Sequence, residues 1–302
     1  MSPSLKSISE QVIVITGASS GIGLATALEA SKQGAAVVLA ARSQQTLGDI
    51  VERIEQAGGR ATAVVADVSR REDVERIAEV ALSTFGRVDT WVNNAGVSIY
   101  GPLEEVKEHD ARRVFDVNFW GVVHGCLVAL PLLRQNGGAL INVGSEVSEA
   151  VAPLQGIYSA SKHAVKGYTD TLRIELLEAG EERISVTLIQ PTAVDTPFPQ
   201  HARNYLAEEP KLPSPQIDPE DVAEAILKAA RQPERDVKVG GSAVLKTTMA
   251  KIAPSLADKM GTKMVDQQKA DEPPRDPEGT LYRPGESGHT RGSVARQESA
   301  AE

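Results

Sequence analysis

The chain of 302 residues is long enough for one large domain or two small ones, and its 41% apolar and 24% charged composition is that of an ordinary globular protein. A net charge of −9 argues against sequence-independent nucleic-acid binding, which needs a basic face. The single cysteine, Cys126, lies in an apolar run where packing is its expected role; it excludes an internal disulfide framework and fits a reducing compartment.

The first ten residues are polar, and the apolar run at 12–15 is too short for the core of a signal peptide. The stretch 120–133 is interrupted by His124, two glycines and Pro131, and falls short of the about 20 residues that span a bilayer. The expectation is a cytoplasmic protein without membrane contact. Residues 12–16 form a wholly apolar, β-branched run, the pattern of a strand buried on both faces. A glycine-rich turn follows, with Gly17, Ser19, Ser20, Gly21, Ile22 and Gly23, and then a helical pattern through Leu24 and Leu28 that stops at Gly34. Strand, glycine turn and helix N-terminus together make an anion site: backbone N–H groups face the ligand, the helix dipole favours a pyrophosphate, and glycines allow close approach. The spacing, Gly-x-x-x-Gly-x-Gly, differs from the more familiar Gly-x-Gly-x-x-Gly fingerprint.

A second strand at 36–41 ends in Arg42 and Ser43. In a dinucleotide fold an acid at this position holds a free ribose 2′-hydroxyl, whereas an arginine pairs with a 2′-phosphate. Arg42 with Ser43, and no acid at Ala40 or Ala41, favours NADP(H) over NAD(H); the alternative is a solvated loop arginine. A helix marked by Leu47, Ile50, Val51 and Ile54 leads to a third strand at 62–66, with Asp67 and Val68 at its end, where a carboxylate could read an adenine amino group. Another amphipathic helix (Val74, Ile77, Ala78, Ala81, Leu82) precedes a strand at 88–92 that ends in Asn93, Asn94, Ala95 and Gly96. This alternation predicts an α/β fold with a doubly wound parallel sheet and ligands at the strand C-terminal ends.

A strand at 139–143 leads to Ser145, whose hydroxyl can hold a carbonyl or alcohol oxygen. Tyr158 and Lys162 are four residues apart and share a helix face. An ammonium beside a phenol favours the phenolate, which should lower the tyrosine pKa from about 10 toward neutrality and make it a usable acid or base. No histidine has metal-ligand spacing, and Ser145 lacks the Gly-x-Ser-x-Gly elbow of a hydrolase, so no metal is expected.

Taken together, the glycine turn, Asp67, residues 93–96, Asn118, Ser145 and Tyr158-x-x-x-Lys162 resemble the short-chain dehydrogenase/reductase family over residues 10–240. The resemblance implies a single Rossmann-fold domain, a nicotinamide dinucleotide, and hydride transfer between the cofactor and a small-molecule carbonyl or alcohol. Carried over by position, Ser145 orients the substrate oxygen, Tyr158 is the general acid/base, and Lys162 binds the nicotinamide ribose and lowers the tyrosine pKa. Asn118 holds a relay water, and Pro191, Val194 and Thr196 meet the nicotinamide. The family's usual Pro-Gly is here Pro191-Thr192, so an altered pocket wall is expected. The resemblance also implies a homodimer or homotetramer, with the apolar helix 119–133 and the Tyr158 helix as candidate interfaces. A catalytically silent dinucleotide-binding regulator is the second reading, set against the intact set of four catalytic residues.

The proline-rich segment 195–217 reads as a substrate lid, with Phe198, Tyr205 and Leu206 as apolar lining and His201 and Arg203 as partners for a polar or anionic group. Glu146, Ser148 and Gln155 should border the site. Asp218 and Pro219 open a helix whose buried face is Val222, Ala225, Ile226 and Ala229, and a last strand is expected at 237–239. The catalytic domain is therefore placed at 8–245. A helical extension at 246–260 and a polar tail at 261–302 follow; the tail is expected to be disordered or loosely docked, with Leu281 and Tyr282 as an anchor on a neighbour.

Overall fold

The strand Val12–Thr16 (β1) is buried along its whole length, and its side chains alternate between two apolar clusters. Val12 and Val14 face one cluster with Trp91 and Leu140, while Ile13 and Ile15 face the other with Val92 and Ile141. Each face of the sheet is therefore covered, which is why the central strands carry no polar alternation. The computed structural model describes residues 5–241, 248, 252, 254–285 and 288–292.

After β1 come α1 (Gly21–Lys32), β2 (Ala36–Ala41), α2 (Gln44–Gln56), β3 (Arg60–Val65), α3 (Arg71–Phe85) and β4 (Thr90–Asn93). Next are β5 (Ile99–Tyr100), α4 (Glu108–Phe115), α5 (Gly121–Asn136), β6 (Gly138–Val143), α6 (Gly156–Glu178) and β7 (Ile184–Pro191). The chain continues through α7 (Phe198–His201), β8 (Arg203–Asn204), α8 (Pro219–Arg231), β9 (Asp236–Val239), α9 (Pro254–Thr262) and α10 (Met264–Gln267). The main sheet has seven strands in the order β3-β2-β1-β4-β6-β7-β9, all parallel. The order reverses between β1 and β4, so the crevice for a ligand opens beyond the C-terminal ends of those strands. This is the doubly wound Rossmann-type fold anticipated from the alternation. The third and fourth strands sit at 60–65 and 90–93 rather than 62–66 and 88–92.

Helices α1, α2 and α8 supply Leu24, Leu47, Ile50, Val222 and Ile226 to one face of the sheet; α3, α5 and α6 supply Ile77, Leu133 and Val165 to the other. A π-helical turn at Asp116–Trp120 joins α4 to α5 without a break, so residues 108–136 form one helical run. By length and composition that run could cross a membrane, in contrast to the short stretch read from the sequence. However, 56% of its apolar window is buried, and α5 packs on α3, β4 and β6, as a core helix does.

Two further departures concern the C-terminal third. Asp218 precedes α8 but makes no side-chain cap; its carboxylate pairs with Arg291 instead. The polar tail was expected to be loose, yet Gln268 and Leu281 are fully buried and Tyr282 donates to Asp110 of the same chain. One buried leucine and a series of backbone hydrogen bonds are enough to dock it, which a composition-based reading underweights. The expected helical extension at 246–260 lies partly outside the described residues, and residues 293–302 lie wholly outside them.

Candidate active site

The turn after β1 and the turn after β4 are locked to each other. Thr16 Oγ1 accepts from the N–H groups of Asn94 (3.0 Å) and Ala95 (3.1 Å), and Asn94 Nδ2 donates back to the carbonyls of Thr16 (2.9 Å) and Gly17 (3.2 Å). Gly17 has φ +68, and a Cβ there would lie 2.7 Å from Ala95 Cα; a Cβ on Gly23 would lie 2.2 Å from the Gly17 carbonyl oxygen. Both contacts demand glycine, the first for the shape of the turn and the second for close packing of α1 on the loop. A backbone cradle stands at the positive end of α1, the setting a pyrophosphate requires, and its Gly21 N–H donates to the His289 carbonyl at 2.9 Å.

All the residues read as catalytic or cofactor-binding, except Gly23 and Asn118, line one cleft. At one end stand Arg42, Ser43, Asp67 and Val68; at the other stand Ser145, Tyr158 and Lys162. Asp67 does not present a free carboxylate to the cleft. It accepts from Ser69 N and Oγ and from Arg113 Nη2 at 2.5 Å. Burial opposes its ionisation, but the hydrogen bonds from Arg113 and Ser69 outweigh this and hold the carboxyl below the ordinary range. Arg113, 46 residues away in sequence, gives no signal of its own in the chain.

Ser145 opens a single 3₁₀ turn, Glu146–Ser148; its Oγ accepts from Val147 N at 3.3 Å and its N–H donates to Ser148 Oγ at 3.2 Å. Ser148 thus supports Ser145 from behind and does not line the cleft. Tyr158, partly exposed on α6, has its ring 5.4 Å from that of Phe198 on the lid. The Lys162 ammonium lies 5.7 Å from the Tyr158 ring centroid and donates to the Val143 carbonyl at 2.8 Å.

The expected lowering of the tyrosine pKa is not what this geometry gives. Burial raises the Tyr158 pKa well above 10, the Ser145 hydrogen bond lowers it, and the nearby Glu146 raises it again. Burial also lowers the Lys162 pKa to about 8, so the lysine is a weaker source of positive charge than a solvated one. Desolvation acts on both partners of the pair, an effect that the i, i+4 spacing does not reveal.

Asn118 sits in the π-helical turn, fully buried. Its Oδ1 accepts from Val97 N (2.8 Å), and its amide donates to the Val97 carbonyl (2.9 Å) and Ser161 Oγ (3.0 Å). Both amide protons are therefore engaged by protein. The loop after β4 leaves both polar groups of Val97 without strand partners, and Asn118 satisfies them.

Around the substrate end the lid departs from its reading. Its two ends meet where Asp195 N donates to the Ile217 carbonyl and Ile217 N to the Ala193 carbonyl, both at 2.9 Å. Phe198 and His201 line the cleft, but Tyr205, Leu206 and Arg203 do not. Tyr205 donates to Asp110 at 2.6 Å, and Arg203 stacks on the Tyr205 ring at 5.1 Å and pairs with Asp110 and Glu278. Burial and then the Arg42 charge lower the His201 pKa to about 4, against an opposing effect of Asp276, so at neutral pH it cannot serve as the cationic partner of an anion. Leu212, Pro213, Met264 and Gln268 line the cleft in place of the missing residues, and Gln155 donates to Gln268 at 2.6 Å. Thr192 has no positive φ; Gly240, at φ +94, leaves room for its methyl group. Among the described residues no cluster of three or more His, Cys, Asp or Glu could hold a metal ion.

A parallel seven-stranded sheet with a glycine cradle at the switch point defines a nucleotide-binding protein of the doubly wound class, and the Ser-Tyr-Lys group on the same cleft gives that class a chemistry. A family model described as short chain dehydrogenase matches residues 11–206, and the chain belongs to that family of oxidoreductases. The chain is 45% identical over 294 residues to uncharacterized oxidoreductase YxnA of Bacillus subtilis, covering 96% of this chain and 82% of the relative. Among solved structures it is similar to a short chain dehydrogenase/reductase from Burkholderia phymatum in complex with NAD, with a TM-score of 0.74 and 29% identity over 88% of this chain and 97% of that one. It is also similar to a short chain dehydrogenase from Burkholderia cenocepacia in complex with NADP, with a TM-score of 0.71 and 26% identity over 85% and 99%.

Proposed function

We propose that the protein is an NADP(H)-dependent oxidoreductase that interconverts a carbonyl and a secondary alcohol on a small molecule. The observation that carries this reading is the placement of Ser145, Tyr158 and Lys162 on the same cleft as the glycine cradle and Arg42. Bound nicotinamide would donate or accept the hydride. The glycine turn holds the pyrophosphate with backbone N–H groups, and Arg42 meets the 2′-phosphate with its planar fork of donors. Ser145 Oγ orients the substrate oxygen, and Tyr158 Oη gives that oxygen a proton in reduction or takes one in oxidation. Lys162 holds the nicotinamide ribose through its ammonium donors. Phe198, Leu212 and Pro213 keep water from the reacting atoms and favour an apolar substrate body, while Glu146 and Gln155 leave a polar portion to be recognised.

The reading extends to a cytoplasmic dimer or tetramer without membrane contact. Its support is the single, buried Cys126 and the exposed apolar residues Trp120 in the π-helical turn and Leu127 on α5, with Ile174 and Leu177 on α6, the last two 65% and 75% exposed. Titration of the purified protein with NADPH and NADH, by fluorescence and calorimetry, tests the cofactor assignment. NADPH should bind more tightly, and Arg42→Asp should reverse the order. Equal or tighter NADH binding would overturn the assignment.

A further inference from the structure

Residues 279–285 lie across the Arg42 end of the cleft. Gly279 has φ +53, and a Cβ there would sit 2.4 Å from the Ala202 carbonyl oxygen, so the segment rests directly on the end of α7. Thr280 donates from N and Oγ1 to the His201 carbonyl at 2.8 and 3.1 Å. Leu281 is 0% exposed and joins the apolar cluster that includes Val68 and Val114. With that side chain anchored, two successive carbonyls turn onto the arginines of the cofactor site. The Thr280 carbonyl accepts from Arg42 Nη2 at 2.5 Å, and the Leu281 carbonyl accepts from Arg42 Nη1 at 3.3 Å and Arg113 Nε at 3.2 Å. Tyr282 then donates to Asp110 Oδ1 at 2.8 Å. Further on, the His289 carbonyl accepts from Gly21 N at 2.9 Å, and Arg291 pairs with Asp218 and Glu220 at 2.5 and 2.8 Å. Thr280, Pro284 and Gly285 line the same cleft as the glycine turn.

A guanidinium carries five N–H donors in a fixed plane. The two carbonyls engage one donor on each terminal nitrogen and set the orientation of that plane, leaving the other donors for a ligand. A long side chain that would otherwise lose its rotamer freedom on binding is thereby ordered beforehand. Only a ligand that uses Arg42 gains from this. NADP(H) carries the 2′-phosphate and NAD(H) does not, so the tail should act on the ratio of their affinities.

We propose that the segment 279–285 is part of the dinucleotide site, with Leu281 as a positioning residue that aims Arg42 at the 2′-substituent of the adenosine ribose. The inference rests on the NADP(H) reading above. The test uses the full-length protein and three variants, Leu281→Ala, Tyr282→Phe and Arg42→Ala, with dissociation constants for NADPH and NADH measured by fluorescence. Leu281→Ala should weaken NADPH roughly three- to tenfold and NADH by less than about twofold, as expected when one preordered side chain is released. Leu281→Met should restore the NADPH affinity. Tyr282→Phe keeps the ring and loses only the hydroxyl that donates to Asp110, so it should fold normally and shift the ratio the same way by about twofold; it carries the test if Leu281→Ala fails to fold. Equal weakening of both cofactors would show a merely structural role and overturn the proposal, as would tighter NADPH binding, which would mean that the tail competes for Arg42. If Arg42→Ala removes the NADPH preference while the two tail variants leave it intact, the inference fails and the NADP(H) reading stands. If Arg42→Ala leaves the ratio unchanged, the reading itself falls.

Discussion

The Thr192 hydroxyl donates to the Glu146 carboxylate at 2.8 Å, tying the turn after β7 to the residue next to Ser145. Both side chains are buried. The threonine stands where the family commonly has glycine, and the structure gives it a partner as well as space beside Gly240. A hydrogen bond to a charged group at a buried site contributes about 1.5–3 kcal/mol. Thr192→Val keeps the shape and removes the hydroxyl, so chemical denaturation should show a loss of roughly that size. It should also lower kcat more than it raises KM, because Ser145 is held less firmly. An unchanged denaturation midpoint would mean that the pair contributes nothing to the fold.

Tyr158→Phe removes the phenol that the proposed mechanism uses to pass a proton to the substrate oxygen. Turnover should fall by about 10²–10⁴-fold, the usual contribution of a positioned acid or base. Cofactor dissociation constants should stay within a factor of about two, since the ring and its packing on Phe198 are kept. Retained turnover would remove Tyr158 from the mechanism.

Burial lowers the Lys162 pKa from its ordinary 10.5 to about 8, so in the cofactor-free protein its charge is lost as pH rises through about 8. Affinity for an anionic dinucleotide should fall over the same range, and Lys162→Arg should keep its affinity to higher pH. The stability consequence has the opposite sense. Between about 8 and 10.5 the unfolded chain binds a proton at this position that the folded chain does not, so this group makes stability rise with pH across that window. Lys162→Met should remove that rise in a pH series of thermal midpoints.

His201 provides the acid-side counterpart. Burial, reinforced by Arg42, lowers its pKa from 6.5 to about 4 against an opposing contribution from Asp276. From pH 6.5 down to about 4 the unfolded state takes up a proton that the folded state refuses, so stability is lost as pH falls through this interval. Since the His201 carbonyl holds Thr280, the hydrogen-exchange protection factor of the Thr280 amide should fall over the same interval. His201→Gln should flatten both responses; an unaltered pH dependence would assign them to other groups.

Much of the site was legible because its signals are local. A β-branched run, a glycine turn and a helix start are written within twelve residues, and the strand ends carrying Arg42, Asp67, Asn94 and Ser145 follow from simple alternation. Tyr158 and Lys162 share a face because of helical spacing alone. The apolar pattern of β1 was enough to place a strand inside a sheet covered on both sides.

Tertiary structure decided what depends on residues far apart in sequence. Arg113 reaches Asp67, Tyr205 and Tyr282 converge on Asp110, and the tail returns across more than two hundred residues to meet Arg42. No local pattern encodes such meetings. Desolvation is likewise a property of the packed fold: the sequence set an ammonium four residues from a phenol, and burial then raised one pKa and lowered the other. A short pattern can determine which groups stand at a site. The free energy of their charged states depends on how much water the rest of the chain removes, and only the folded chain settles that.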